Sequence, residues 1–506
     1  MKIGLIHTFY TYEEIKTNRP FPFGIAYIAS YLIKNGHKAE ILDLNTTYLK
    51  EKEIVVKLKS MKCDIFGISS LSGGFTYAKK LISVIKDNFN IPVIMGGPLA
   101  TFNYNVVLRY MKADICVIGQ GEHVARDILE NIETLEKVKG IAYKDKNGVI
   151  VKNSAAPLMR LDEIPWPAYQ LFDMEDYIWD EAAPDMDSKR RYKDVRLAQM
   201  ITGRGCPMAC KFCSKVMGRK ILIRPVDSVI GEVKLLIKDY GINGIYFRDE
   251  LYIMNREYAL ELAEKLKPLN IIWMGQARVD KVDYDLVKYM KKCGCISLGF
   301  GIESGSPKML KLMDKGQTVD QIKNAVNICR KLDMDMKVQL VIGYPGEDKS
   351  TIEETTQLFK KLGHPGRRPH LITPLPGSVL YDDLRAQGVI QDETEYLTNL
   401  SRNENGFSKG LPLINLTEFS DEELYRIKLD MERNMQNNYK KYLLVHPLEI
   451  FRYFYDRLIY KKYILNPALM FRMLLNKLRI FPQEPSGNHK NKIDINKITA
   501  EYRLSE

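Results

Sequence analysis

The 506-residue chain has no run of 18 apolar residues, and that absence excludes a membrane-spanning helix. Its opening, Met1-Lys2-Ile3-Gly4-Leu5-Ile6, has an apolar stretch too short for a secretory signal and meets Glu13-Glu14 early, so no signal peptide is expected. Cysteine is scarce, eight in all, with none beyond Cys329. Five of these, Cys63, Cys116, Cys293, Cys295 and Cys329, sit in apolar or near-apolar contexts that suit buried free thiols. Cys293 and Cys295 stand too close together, without nearby partners, to hold a metal cluster. No recognised RNA-binding module is present, so the net charge of +12 needs another explanation and nucleic acid is not expected as a partner. Hydrophobic and charged contents of 45% and 27% exclude a disordered chain.

The other three cysteines stand together in Cys206-Pro-Met-Ala-Cys210-Lys-Phe-Cys213, after an apolar run from Leu197 to Ile201 and a Gly203-Arg204-Gly205 turn. With eight cysteines in the chain, chance would place this spacing about 0.002 times. Three thiolates on one face of a tight loop can hold iron or zinc. A structural zinc site wants four closed protein ligands, and no fourth is in sight. Three thiolates leave a metal position open to a substrate or cofactor; buried free thiols are the plainer alternative. Exposed cysteines holding iron need a reducing compartment, which points to the cytoplasm.

Residues 1–152 alternate strand and helix patterns. Strands are expected at Lys2 to His7, Lys38 to Leu44, Asp64 to Ile68, Ile91 to Met95 and Asp114 to Ile118, and helices at Gly24 to Asn35 and about Tyr77 to Asn88. The alternation predicts an α/β fold with a doubly wound, Rossmann-like parallel sheet whose ligands bind beyond the carboxyl ends of the strands. Small-residue loops lie at those ends: Ser69 to Gly74, with Ser70 and Gly73; Gly96-Gly97-Pro98; and Gly119-Gln120-Gly121-Glu122. Residues 153–194, with Pro165-Trp166-Pro167 and a charged run from Asp185 to Asp194, read as a linker.

A second alternating series over 195–385 predicts a partial (β/α)6 TIM-like barrel with its chemistry at the strand carboxyl ends. Its strand candidates are Leu197 to Ile201, Gly244 to Phe247, Ile271 to Ala277, Ile296 to Ile302, Met336 to Ile342 and His370 to Thr373. Asp249 and Glu250 follow the second, Arg278 the third, Glu303 the fourth, and Gly343-Tyr-Pro-Gly346-Glu347 the fifth. For each residue alone an ordinary strand-end ion pair is the alternative. A C-terminal helical region is expected over 386–483 and a frayed tail over 484–506.

The cysteine loop, with Phe212 just before its third cysteine, resembles the radical S-adenosylmethionine (SAM) enzymes. The N-terminal loops resemble the cobalamin-binding domain that precedes the barrel in one branch of that family. The resemblance covers residues 1–385 and implies that Cys206, Cys210 and Cys213 hold a 4Fe-4S cluster whose fourth iron is chelated by SAM. One electron, from a partner such as flavodoxin or ferredoxin, would cleave SAM to methionine and a 5′-deoxyadenosyl radical. The resemblance also places Asp249 and Glu250 near the SAM ammonium, Glu303 on the ribose hydroxyls, and the Gly343 to Gly346 turn beside adenine, with Arg278 among the cofactor contacts. Ser70, Gly73, Gly97, Gly121 and Glu122 would face cobalamin. The Asp-x-His-x-x-Gly motif that supplies histidine to cobalt in other cobalamin proteins is missing, and His7, His37 and His123 lack its context. A structural cap or substrate platform is the other reading of this domain. The expected reaction is methylation of an unactivated carbon in a small-molecule or lipid substrate. Its rivals are radical cyclisation, rearrangement or carbon–carbon coupling without methyl transfer, and a noncatalytic iron–sulfur redox protein, which would need no nucleoside site.

Between Lys440 and Ile480 nine basic residues stand against two acidic ones, interleaved with aromatic and aliphatic residues such as Phe451, Tyr453 and Leu458. This composition suits a peripheral contact with an anionic membrane. An ordinary helical cap with a solvated basic face is the competing reading.

Overall fold

The computed structural model describes residues 1–8, 19–47, 49–180, 194–253, 255–364, 366, 369–402 and 411–446. Two sheets organise them. The strands of the first are β1 (Lys2–His7), β2 (Lys38–Asp43), β3 (Ile65–Ser69), β4 (Val93–Gly96), β5 (Ile115–Val117), β6 (Ile141–Lys144) and β7 (Ile150–Lys152). Their order is β2-β1-β3-β4-β5-β6-β7, parallel as far as β5. The expected parallel sheet therefore carries an antiparallel edge, β5-β6-β7. Its β6–β7 turn has a local cause: Asp145 Oδ1 accepts from the Asn147 and Val149 amides, and Gly148 takes φ +76°. Asp-Lys-Asn-Gly was a readable turn signal.

Six helices flank this sheet: α1 (Phe23–Lys34), α2 (Leu44–Thr47), α3 (Glu51–Met61), α4 (Phe75–Asn88), α5 (Gly97–Tyr110) and α6 (Glu122–Glu130). The strand pleat sends Ile3, Leu5, Ile94 and Val117 toward α1 and α6, and Ile6, Phe66 and Ile68 toward α3, α4 and α5. Helices on both faces leave one end of the parallel strands free for ligands, the end where the small-residue loops lie.

The second sheet is built from β8 (Leu197–Met200), β11 (Gly244–Phe247), β12 (Ile272–Ala277), β13 (Cys295–Glu303), β14 (Asp335–Ile342) and β15 (His370–Leu371). They pair in parallel in the order β15-β14-β13-β12-β11-β8, as the expected six-strand partial barrel. A short hairpin, β9 (Gly203–Arg204) with β10 (Leu222–Ile223), carries the cysteine loop between its arms. The remaining helices are α7 (Val226–Tyr240), α8 (Arg256–Leu266), α9 (Tyr284–Lys292), α10 (Pro307–Leu312), α11 (Val319–Lys331), α12 (Lys349–Leu362), α13 (Val379–Ala386), α14 (Glu393–Arg402) and α15 (Asp421–Leu444). α15 packs on α12, whereas α14 packs against α4 of the first sheet's layer.

Residues 153–180 depart from the expected linker. Tyr169, Met174 and Tyr177 are buried in the barrel core together with Phe21, whose ring centroid lies 5.1 Å from Tyr169 and 5.3 Å from Tyr177. The Tyr177 hydroxyl donates to Asp43, and Arg19 pairs with Asp176 at 2.5 Å. Prolines and charges suggested a stiff solvated crossing, but the aromatic residues among them carry enough apolar area to bury the segment. Residues 181–193, which take in the charged run up to Lys193, and residues 447–480 of the basic C-terminal stretch, lie outside the described residues. Among the described residues no helix is long and apolar enough to cross a membrane.

Candidate active site

The cysteine loop leaves β9 through Gly205, whose φ is +88°. A Cβ there would stand 1.9 Å from the Lys220 carbonyl oxygen, so only glycine lets the returning arm close over the loop. The loop is then pinned from both sides. Lys211 N–H donates to the Met313 carbonyl, the Lys211 carbonyl accepts from Leu380 N–H, and Ser214 Oγ donates to the Pro376 carbonyl. Cys210 is buried, Cys206 partly so, and Cys213 is open to the barrel mouth. Protein walls around that mouth, and then the neighbouring Cys210 and Cys206 sulfurs, push the Cys213 thiol up to about 11. Three cysteine sulfurs thus share one short loop.

Around the mouth, the residues singled out from the sequence come together, mostly with partners that local patterns do not reveal. Asp249 is buried, and its Oδ1 accepts from Thr202 N–H at 2.8 Å, Thr202 Oγ1 at 3.0 Å and Gly203 N–H at 2.5 Å. It braces the turn that launches the cysteine loop. Burial raises its carboxyl to about 6, and Oδ2 is buried with no hydrogen-bond partner among the described residues. Glu250 is exposed at the rim. Arg278 is buried. Its guanidinium binds Asp280 Oδ1 at 2.8 Å and the carbonyls of Lys315 and Gly316 at 3.0 and 2.8 Å, fastening the β12 exit to the α10–α11 turn.

Glu303 ends β13 at a register shift against β14, with φ +64°. A non-glycine residue in the left-handed region stores strain that its surroundings must hold. Here the holder is Lys315, whose Nζ lies 2.8 Å from Glu303 Oε1, both side chains being 9% exposed. The same ammonium sits 5.8 Å from the centroid of Phe212, on the cysteine loop. Lys315 was missed from the sequence; its signal is the Asp314-Lys315-Gly316 run, in which both neighbours have positive φ and turn the lysine inward. Gly343 and Gly346, at φ +91° and +85°, form the turn after β14, and Glu347 closes it by accepting from Gly343 N–H. Burial raises the Glu347 carboxyl to about 7.

The N-terminal loops face this mouth. Gly97, at φ +83°, lies where a Cβ would meet the Ser70 carbonyl at 2.7 Å, which locks two of the small-residue loops together. Glu122 forms a buried ion pair with Arg204, Oε1 to Nη2 at 2.6 Å, linking the start of α6 to the strand just before Cys206. Arg204 also lies 4.8 Å from the Tyr27 ring centroid. Two cavities of about 400 Å³ each open along this seam. One runs down the sheet over Ile3, Leu5, Gly67 and Val117 and reaches Asp249 and Glu250. The other is walled by Ser70 and Gly73 on one side and by Ser214, Leu375 and Leu400 on the other. His7 stands in the second wall, with Nδ1 3.0 Å from Asp43 Oδ1.

The B12 binding domain pattern matches residues 17–129 and the Radical SAM superfamily pattern residues 200–359. An uncharacterized methyltransferase of Pyrococcus horikoshii is 30% identical over 416 residues, covering 80% of this chain and 85% of its own. The chain belongs to the radical SAM superfamily. Another relative, the anaerobic magnesium-protoporphyrin IX monomethyl ester cyclase of Cereibacter sphaeroides, is 28% identical and covers 78% of this chain and 66% of its own. Among solved structures, the radical SAM methyltransferase TsrM from Kitasatospora setae, with cobalamin and 4Fe-4S cluster bound, superposes with TM-score 0.60 at 19% identity. It covers 76% of this chain and 78% of its own, and shows a shared fold.

The residues present fit the groups that a radical SAM enzyme with a B12 domain carries. Among the described residues no three His, Cys, Asp or Glu side chains converge on one ion; in a 4Fe-4S group each thiolate bonds its own iron. A bound iron would also offset the burial that, with the neighbouring sulfurs, raises the Cys213 thiol. The unpartnered Asp249 Oδ2 is an acceptor suited to a donor or cation entering the mouth. For a corrinoid, the seam offers an apolar floor and a glycine rim. Gly73 and Gly119 border open space, where a Cβ would touch nothing within 4 Å.

Proposed function

We propose that the protein is a cobalamin-dependent radical SAM enzyme that methylates an unactivated carbon of a small molecule. In this reading Cys206, Cys210 and Cys213 ligate the cluster; Asp249, Glu250, Glu303, Gly343 and Gly346 surround SAM; and Ser70, Gly73, Gly97 and Gly121 face cobalamin. Arg278 and Glu122 act as positioning residues. The functional blocks are 1–152, 195–385 and 386–483, with 153–194 as the strap between the first two. One observation carries the reading: the cysteine loop and the carboxyl-end loops of the first sheet wall the same cavities. When bound, the cluster and SAM supply a carbon-centred radical and the corrinoid a methyl group. The chain's own part is to bind, orient and exclude water. Glu122 and Arg204 fix the loop against the first sheet, and Phe21, Leu71, Leu375 and Leu400 give the chamber apolar walls.

The methyltransferase named among the relatives supports this reading. The relative named as a cyclase favours a second one, radical ring closure without methyl transfer. Reconstituted protein given SAM with a labelled methyl group separates them. Label in the product establishes methyl transfer; an unlabelled product formed with 5′-deoxyadenosine establishes the second reading; neither, with a loaded cluster, defeats both. The proposal includes electron supply by flavodoxin or ferredoxin and a peripheral membrane contact through residues 440–480. Vesicles rich in anionic lipid should bind the full chain at low salt and release a chain truncated after His446. Equal binding by both forms removes the membrane contact.

A further inference from the structure

At the carboxyl end of the first sheet, His7 of β1 lies in register with Asp43 of β2. Residues in register on parallel strands send their side chains to the same face, so the two meet, Nδ1 to Oδ1 at 3.0 Å. The carboxylate is engaged on both oxygens. Oδ1 also accepts from Asn45 N–H at 3.0 Å, and Oδ2 accepts from the Tyr177 hydroxyl. The His7 and Asp43 side chains are only 15% and 12% exposed. A carboxylate that accepts on both oxygens leaves Nδ1 the role of donor. The network thus assigns the imidazole proton to Nδ1 and leaves a lone pair on Nε2.

That nitrogen is not buried and has no hydrogen-bond partner among the described residues. His7 lines the cavity of about 400 Å³ that Ser214, next to Cys213, also lines. Much of the wall is apolar, with Phe21, Ile25, Leu71, Leu375 and Leu400, and no Asp, Glu, Lys or Arg among the described residues lines it. Three of its hydroxyls are spent on nearby carbonyls: Thr8 Oγ1 donates to Ser69, Ser70 Oγ to Leu71 and Ser214 Oγ to Pro376. An oriented, unused acceptor in an uncharged apolar chamber selects a ligand that is neutral, mainly apolar and able to donate one hydrogen bond.

We propose that His7 Nε2 accepts a hydrogen bond from a hydroxyl or N–H group of a neutral, largely apolar substrate and so anchors it in the chamber beside the cysteine loop. The proposal rests on the methylation reading above and deepens it by naming the chemical class of the substrate. Asp43 is a positioning residue: it fixes the tautomer and the ring, and Tyr177 fixes Asp43. An analogue without the donor would leave Nε2 stripped of water and unpaired, which is the source of the discrimination.

The test uses full-length protein reconstituted with iron and supplied with hydroxocobalamin. The probes are 1-naphthol, a neutral donor at neutral pH, and 1-methoxynaphthalene, which has the same rings and no donor. Equilibrium dialysis should show wild type binding the naphthol about fivefold or more tightly than the ether. His7→Phe should bind the two equally, whereas His7→Gln, whose amide oxygen still accepts, should keep part of the preference. Asp43→Asn offers Nδ1 both a donor and an acceptor, which frees the tautomer, and should narrow the preference although His7 is intact. Equal iron content across the four proteins reports that each is folded, and the glutamine and asparagine variants carry the test if phenylalanine prevents folding. Equal binding of the two probes by wild type, binding of neither, or a preference undiminished in His7→Phe overturns the proposal. If the preference holds but the labelled-SAM experiment yields neither labelled product nor 5′-deoxyadenosine, the acceptor stands as a ligand site and the methylation reading falls.

Discussion

Replacing Glu303 tests whether the site stores strain that a buried charge holds in place. Glu303→Ala leaves the Lys315 ammonium buried without its carboxylate; breaking one partner of such a pair costs about 3–5 kcal/mol. It also keeps a Cβ at φ +64°, a conformation that costs an L-residue about 1–2 kcal/mol. Glu303→Gly loses the same carboxylate but releases the strain. Glycine should therefore be the milder replacement by about 1 kcal/mol, reversing the usual order in which glycine in a strand is worse than alanine by about 0.5–1 kcal/mol. Removing both charges, with Glu303→Ala and Lys315→Met together, should cost less than the sum of the two single changes. A chain of this size will not unfold in one step, so the readout is hydrogen exchange by mass spectrometry over the β13 exit and the Met313 to Gln317 turn. A 3–5 kcal/mol loss corresponds to exchange faster by roughly two to four orders of magnitude. An alanine variant that costs under about 1 kcal/mol would refute the buried-pair argument, and one no worse than glycine would refute the strain argument.

Triple replacement of Cys206, Cys210 and Cys213 by alanine should take anaerobically reconstituted protein from about four irons per chain to none, and retention of most of the iron would reject these ligands. Gly205→Ala should prevent cluster loading, because its Cβ would strike the Lys220 carbonyl; Gly218→Ala, at φ +64° but in open space, should cost only about 1–2 kcal/mol and still load iron. Burial lifts the Glu347 carboxyl from 4.5 to about 7, so between those pH values the folded chain keeps a proton that the unfolded chain releases. Stability contributed by this group is thus present below about pH 4.5 and falls by about 3 kcal/mol as pH rises to 7; Glu347→Gln should flatten that slope in urea midpoints measured across pH. Glu122→Gln should leave the Arg204 guanidinium buried without its charge partner and loosen the cysteine loop, read as faster exchange over Gly203 to Cys210, while Glu130→Gln, at an exposed pair, should do nothing measurable.

The barrel was legible because its strands are buried and read as short apolar runs: Gly244–Phe247 coincides with its sequence expectation to the residue. The cysteine loop was legible because its chemistry is local. What local pattern could not supply was the partner of each polar residue. Glu122 follows a glycine loop and lines the cavity, but its ion pair with Arg204, far along the chain, could not be read from local pattern. Arg278 stood at a strand exit like its neighbours, but its charge is satisfied by a turn formed after α10. The strap around Tyr169 and Tyr177 was misread because prolines outweighed aromatics in judging it, and the β6–β7 hairpin because only the parallel repeats were followed. The sequence offered Asp249 as a cofactor contact and gave no sign that one of its oxygens is engaged by Thr202 and Gly203.

Helix α14 bears on how the molecule is made. Tyr396, Leu397 and Leu400 are buried with Phe75, Ala78 and Ile82, and the Ser401 hydroxyl accepts from Thr76 N–H. The first sheet's layer is thus finished by a helix that leaves the ribosome roughly 270 residues after α6. At about 5–20 residues per second, that apolar face waits roughly 15–50 s for its cover. Until then the nascent chain presents a sticky patch suited to a chaperone. An expression fragment trimmed to the two sheet layers alone should be recovered mainly as aggregate, even though both of its sheets are complete.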